Sequence, residues 1–351
     1  MWKQYSFIAH RILGLQDWVN YLFLDVLFQV HDDFRDDLMN VVDIPTRKLL
    51  DETKDTKFYN QLVTLYKRCQ KLDVEKIELL HFAFENNNQI ERLCRKEIVP
   101  FRFKDLLSKY KKDKEWKSFL ELLKTFCNAL YTEYVYLKAF EVRYGTLKEY
   151  YNAMVKNDSI CHCCGIGSVL TEDNTPRDAF DHYLPKAIYP FVSLNFKNLL
   201  PACYHCNSSY KQESDTLFEK VGKNEKQVKA FLPFSNIGDS HYHIVVDVKM
   251  ATRYKREKTM AEDIIVSCQC SGYSEEVQTW QRLYKINEQY VSFCRRSENL
   301  CLLNDMIERN LISPNYAESE IQKMERMPEV RGNFLFAPFA RAVFRSLGVI
   351  I

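Results

Sequence analysis

Apolar residues recur at spacings of three and four through most of the first 150 positions. "RILGLQDWVNYLFLDVLFQV", "KFYNQLVTLYKRCQKL", "VEKIELLHFAFE" and "EWKSFLELLKTFCNALYTEYVYLKAF" all carry this period, which places one apolar face on a helix. The pattern predicts an all-helical domain over residues 1–150, with about five to seven helices of ordinary length. Asp43-Ile44-Pro45 and Asn86-Asn87-Asn88 read as breaks between helices. "GTLKEYYNAMVKND" predicts one more helix, leading into a different kind of sequence.

Residues 161–211 lack periodicity and are dense in Cys, His, Asn and Pro. Such a stretch needs something other than a large apolar core to hold it. From about residue 241 the period shortens to two: "HYHIVVDVK" and "DIIVSCQC" alternate as strands do. "EEVQTWQRLYKINEQYVSFCRRSENLCLLNDMIERN" returns to the helical period, and "GNFLFAPFARAVFRSLGVII" reads as a packed final helix. The expectation is an α+β chain in three parts: a helical domain at 1–150, a cysteine-framed domain at 151–235, and a hairpin with helices at 236–351.

Composition adds limits. A chain of 351 residues, 46% hydrophobic and 27% charged, is that of a globular protein with more than one domain. Nine glycines and ten prolines disfavour long linkers and glycine-rich phosphate loops. The formal net charge is only +2, which does not indicate a generally basic nucleic-acid binder. One local basic run stands out, "KMATRYKREK" at 249–258. It reads as a solvated hairpin turn or as a phosphate track through Arg253, Lys255 and Arg256, with Tyr254 as a weak candidate for stacking on a base. The N-terminus lacks a basic-then-apolar layout with a cleavage site, and "YLFLDVLFQV" is too short to span a bilayer. A cytoplasmic protein is expected, with its twelve cysteines serving as metal ligands and buried thiols.

"CHCCG" and "CYHC" place Cys161 with Cys164 and Cys203 with Cys206 at the C-x-x-C spacing that puts two thiolates on one metal. Together they make a closed tetrahedral structural zinc site. The loop of 38 residues between the pairs costs chain entropy that metal binding can offset. Such a site has no open position, so any chemistry lies elsewhere. Cys163 is an extra thiol, and Gly165 suits the tight turn after the first pair.

Inside or beside the frame stand Asp181-His182, Asn198, Asn207 and Lys211. The order "DHYLPK…YP…NLLPAC..CN..YK", flanked by the two cysteine pairs, resembles the HNH endonucleases, the zinc-braced branch of the ββα-metal nucleases, in their Asp-His…Asn…Asn variant. The resemblance covers about 161–215 and not the helical domain. It implies a ββα-metal fold for the central domain. It implies that His182 is the general base, that Asp181 and Asn207 hold one catalytic Mg²⁺ or Mn²⁺, and that Asn198 holds a loop through backbone hydrogen bonds. It extends to HNH components of bacterial anti-phage systems of the Septu-like and retron-linked kinds. DNA, or RNA, is then the substrate, and a regulatory protein such as an ATPase of the same system is the partner.

The chemistry stands on its own. A histidine near its ordinary pKa can take a proton from water at neutral pH. Asp and Asn oxygens suit a hard cation, whereas thiolates suit zinc. Lys211, four residues after Asn207 on a helix, lies on the same face and could reach a phosphate. One geometric condition applies: neighbours on a regular strand face opposite ways. Asp181 and His182 share one site only where the strand ends, and Pro185 makes that plausible. His162 and His205, between the zinc cysteines, read as solvent-facing. His241 and His243, and Cys268 and Cys270, read as strand surface and core. The competing function is a non-catalytic zinc module that binds nucleic acid or protein. A catalytic zinc hydrolase is disfavoured by the closed cysteine set and the absence of HExxH.

Overall fold

The computed structural model describes residues 1–29, 37–156, 158–174, 178–235, 242–255, 258–330 and 332–349. It is 56% helical, with small strand pairs, an α+β mixture.

The first part holds α1 (Leu13–Tyr21), α2 (Ile44–Glu52), α3 (Lys57–Cys69), α4 (Val74–Asn88), α5 (Ile90–Cys94), α6 (Phe103–Lys109), α7 (Lys114–Thr132), α8 (Lys138–Tyr144) and α9 (Leu147–Val155). These helices are more numerous and shorter than the period alone predicts. Local chemistry sets their starts. Asp43, Thr56, Asp73 and Asp113 each accept from a backbone N–H three residues on, which satisfies a donor the helix cannot. Asp43-Ile44-Pro45 is thus a helix start. Asn86-Asn87-Asn88, expected as a break, forms the last turn of α4, and the chain turns at Gln89. The asparagines work outward: Asn87 exchanges hydrogen bonds with the Phe101 backbone at 2.7 and 2.8 Å. Asn195 donates to the Asn88 side chain at 3.0 Å. The helices bury an aromatic cluster in which Phe23 meets Phe28, Phe84, Phe126 and Phe191. Phe191 belongs to the central segment, so the helical part and the central part share this packing.

The N-terminal strand β1 (Tyr5–Ser6) leaves the helical part altogether. It pairs in parallel with β6 (Phe234–Ser235). The central segment contributes β2 (Phe180–His182) and β3 (Leu199–Pro201), an antiparallel pair with Asp181 opposite Leu200 and His182 opposite Leu199. A short, wide helix, His205–Lys211, follows. Its π-type turn is closed by Gln212 N donating to Asn207 O at 3.0 Å. Next comes the hairpin β4 (Phe218–Val221) and β5 (Asn224–Gln227), turned at Gly222 with φ +62°.

The last part pairs β7 (Val245–Met250) with β8 (Ile264–Gln269), antiparallel as the alternation predicts. It continues through α10 (Ser274–Tyr284), α11 (Ile286–Cys294), α12 (Ser297–Ile312), α13 (Tyr316–Arg326) and α14 (Asn333–Ser346). The helical run 275–310 is split by Lys285, whose φ of +50° ends α10. Buried hydrophobic residues of all three parts form one continuous cluster, from Met1 to Phe344. The central segment lies deep within it: Phe180 to Leu184 and Tyr189 to Phe196 are all buried. A segment expected to be held by something other than a large apolar core takes part in the main core.

Candidate functional site

Cys161, Cys164, Cys203 and Cys206 are buried, and their sulphurs lie within 4.8 Å of one another. Four thiolates about 2.3 Å from a tetrahedral zinc stand about 3.8 Å apart, so the group suits a metal ion and fits structural zinc. Backbone amides already point at the sulphurs: Gly167 N donates to Cys164 Sγ and Cys203 N to Cys161 Sγ, both at 3.3 Å. Burial raises the Cys161 thiol, but hydrogen bonds from Cys163, Cys164, Cys203 and Cys206 carry it well below its ordinary value. Gly165 turns the first knuckle at φ +75°. Gly167 is needed for space, since an added Cβ would lie 2.6 Å from Cys203 Sγ.

The frame is clamped from both ends of the chain. Trp280 Nε1 donates to Cys163 O at 2.6 Å and Tyr290 Oη to Cys164 O at 2.9 Å. Gln289 Nε2 donates to Cys206 Sγ at 3.7 Å. His162, expected to face solvent, is buried instead. It stacks on Tyr5 with ring centroids 3.9 Å apart, and its Nε2 lies 2.8 Å from Asp158 Oδ2. His205 is exposed, as expected. Cys268 and Cys270 are buried. His243 is exposed and lies just before β7, and His241 falls outside the described residues.

β2 ends at His182, where the next amide, Tyr183 N, bonds Asn198 O at 2.9 Å. Asn198 is fully buried. Its Oδ1 accepts from Leu184 N at 2.7 Å, and its Nδ2 donates to Leu184 O and Val192 O at 3.0 and 3.1 Å. One side chain therefore ties both ends of the loop between the paired strands. That loop delivers Ser193 O to within 2.9 Å of His182 Nε2. A carbonyl only accepts, so Nε2 carries the proton of the neutral ring and Nδ1 is bare. Tyr131 of α7 stands edge-on to the imidazole, centroids 4.4 Å apart, and His182 is 9% exposed. Burial lowers its pKa to about 3, with Lys186 and Lys211 adding to the shift and the Ser193 bond opposing it. The ring is neutral at pH 7, but the expectation of a histidine near its ordinary pKa is corrected: burial makes this imidazole a weaker base.

Asp181 points away from His182. Its Oδ1 takes Lys211 Nζ at 2.8 Å, and its Oδ2 accepts from Tyr284 Oη at 3.1 Å. Lys211 Nζ also donates to His182 O at 2.7 Å. The Lys211 side chain is 0% exposed and that of Asp181 is 2% exposed. The expectation that Lys211 reaches out to a phosphate is corrected: its ammonium is an internal counter-ion. Asn207 is half-buried and donates to Ala179 O at 3.3 Å.

The donor types of Asp181 and Asn207 suit Mg²⁺ or Mn²⁺, but each Asp181 oxygen already holds a partner. In this conformation the pair does not fit a divalent ion. In the basic run, Arg253 and Lys255 are exposed on the turn between β7 and β8, and Arg256 lies outside the described residues. Tyr254 is not available for stacking on a base: it is 6% exposed and its Oη donates to Asn304 Oδ1 at 3.0 Å.

The residues that complete the site from afar leave little trace in the local sequence. Tyr131, Ser193, Tyr284, Trp280 and Gln289 carry no local signal, because their partners are distant in the chain or are backbone atoms. Gly167 had one, a second glycine directly after the first cysteine pair. Comparison of the chain with protein-family models, with curated proteins and with solved structures found no match. No described helix is long and apolar enough to cross a membrane.

Proposed function

We propose that the chain is a metal-dependent endonuclease of the HNH kind, hydrolysing phosphodiester bonds of DNA. The observation that carries this reading is the His182 imidazole. It is held neutral, with Nε2 committed to the Ser193 carbonyl and Nδ1 left as a base. It sits at the end of a strand pair, which a short helix follows in the chain, and between the two cysteine pairs of the sequence. His182 Nδ1 would take the proton of the attacking water, and Asn198 would fix the loop that orients the ring. Mg²⁺ or Mn²⁺ at Asp181 and Asn207 belongs to the same proposal only once Asp181 is released from Lys211. Arg253 and Lys255 are available to a phosphate backbone. An anti-phage role and a regulatory ATPase partner rest on the resemblance alone.

A non-catalytic zinc module is the second reading, favoured by the deep burial of Asp181 and His182. Plasmid cleavage with Mg²⁺ or Mn²⁺ separates the two. The nuclease reading expects nicking by the wild type, at least 100-fold slower in His182→Ala, consistent with the usual contribution of a general base. Asn207→Ala should also be impaired. A wild type inert with every divalent ion and with partners added would favour the zinc module. Normal cutting by His182→Ala would remove His182 from the base role.

A further inference from the structure

We infer that Lys211 is a built-in cation that holds Asp181 closed, and that a divalent ion reaches Asp181 only by displacing it. The inference deepens the proposed function, on which its relevance to cleavage rests, but the displacement is measurable by itself. Lys211 is a lysine with no exposed side chain, which is rare without a partner. Its charge is met by Asp181 Oδ1 at 2.8 Å, and a second N–H donates to His182 O at 2.7 Å. Tyr284 Oη occupies the other carboxylate oxygen. An ammonium and a divalent cation cannot share one buried carboxylate at that distance, since like charges in a poorly screened site repel strongly.

Lys211 is placed to move. It is the last residue of its short helix, and Gln212 after it has φ +48°. Tyr284 is likewise the last residue of α10, and Lys285 after it has φ +50°. Both groups that close Asp181 are therefore followed directly by a non-glycine residue in the left-handed half of backbone space. Such backbone angles are uncommon for side-chain-bearing residues, and the opening is set at these two helix ends. Opening at these points frees Asp181, the strand neighbour of His182.

Mn²⁺ binding to the full zinc-loaded chain, followed by electron paramagnetic resonance, tests this. The Asp181→Asn variant defines the background. Lys211→Met should bind Mn²⁺ at the Asp181-dependent site about tenfold tighter or more than the wild type, since the competing charge is gone. Equal or weaker binding in a folded Lys211→Met overturns the inference. If that variant does not fold, the wild type decides. Amine labelling of Lys211, read by mass spectrometry, should be slow without Mn²⁺ and at least tenfold faster with it. Saturating Mn²⁺ with Lys211 still protected overturns the inference. A chain that binds Mn²⁺ with Lys211 released yet never cuts DNA sinks the nuclease reading and keeps this one. A chain that cuts with Lys211 protected throughout does the reverse.

Discussion

The helical part and the cysteine-framed segment are both buried, but for different reasons. In the helical part, burial follows from period. Amphipathic helices turn aromatic and aliphatic faces inward, and Phe23, Phe58, Phe84 and Phe126 meet ring to ring. In the framed segment there is no period to follow. Its polar groups are made safe one at a time, by the Asn198 fork, by amides aimed at sulphur, and by the Lys211–Asp181 pair. A periodic core tolerates loss of one contact roughly in proportion to the area lost. A segment of satisfied polar groups fails in larger steps, because each lost partner strands another group in a dry place.

Metal removal should therefore give the largest difference between the two. Cys203→Ser takes away one thiolate of four, and structural zinc contributes on the order of 10 kcal/mol in small zinc domains. Loss of stoichiometric zinc by metal analysis is expected, together with a thermal midpoint lowered by ten degrees or more, on the order of what a loss of several kcal/mol gives. Cys69→Ser, at a fully buried thiol of α3, should cost about 1–3 kcal/mol for the buried hydroxyl and leave zinc content unchanged. Equal zinc loss in both variants would break the distinction.

Next in size is the periodic core itself. Phe23→Ala removes a ring that touches four other phenylalanines and should cost about 3–5 kcal/mol in urea unfolding. Phe191 is one of those four, so this change also reaches the loop that carries Ser193. Slower zinc release than in Cys203→Ser, with the larger loss confined to stability, is the expected pattern. Zinc loss as complete as in Cys203→Ser would mean that the two parts unfold as one unit.

The same contrast explains what was legible beforehand. Helix faces, the β7–β8 pair and the cysteine pairs were all readable, because period and spacing are local. Three features were not. β1 pairs with β6 across most of the chain and has two residues, too few to show alternation. β4–β5 has a glycine at the first position of a two-residue turn, a usable hairpin signal, but its strands are mostly polar and exposed. The closure of Asp181 depends on Tyr284, 103 positions away. The condition that adjacent strand residues diverge was readable, and it governs here: Asp181 and His182 do face apart, even though the strand ends at His182.

Acid should act on the framed segment through His182. Its pKa is about 3 when folded and 6.5 in the open chain. Between these values the unfolded chain binds the extra proton. The stabilising effect of keeping the ring neutral is thus full above pH 6.5 and is lost as pH falls towards 3. From pH 8 to pH 5 the change is about 2 kcal/mol for this group. His10 is also lowered by burial and adds a dependence of the same sign, so the decisive measurement is a difference. His182→Gln should flatten the urea-midpoint profile between pH 8 and pH 5 relative to the wild type. An unchanged slope would place the acid sensitivity elsewhere.

The smallest effect gives the finest comparison, because it applies one chemical change to both regions. Trp280 Nε1 donates to Cys163 O in the frame, and Trp116 Nε1 donates to Leu106 O at 3.0 Å among the helices. Both indoles are buried, and both acceptors are backbone carbonyls. Replacing either tryptophan by phenylalanine keeps a ring and removes the donor, at a cost of about 1–3 kcal/mol for the stranded carbonyl and the lost volume. Stability alone should hardly separate Trp280→Phe from Trp116→Phe. Zinc release to a chelator should separate them, since the Cys163 carbonyl lies between two metal ligands in the chain and the Leu106 carbonyl does not. Several-fold faster release in Trp280→Phe, with Trp116→Phe at the wild-type rate, would mean that the C-terminal helices hold the knuckle in shape. Equal release rates would mean that the cysteines and their metal do so unaided.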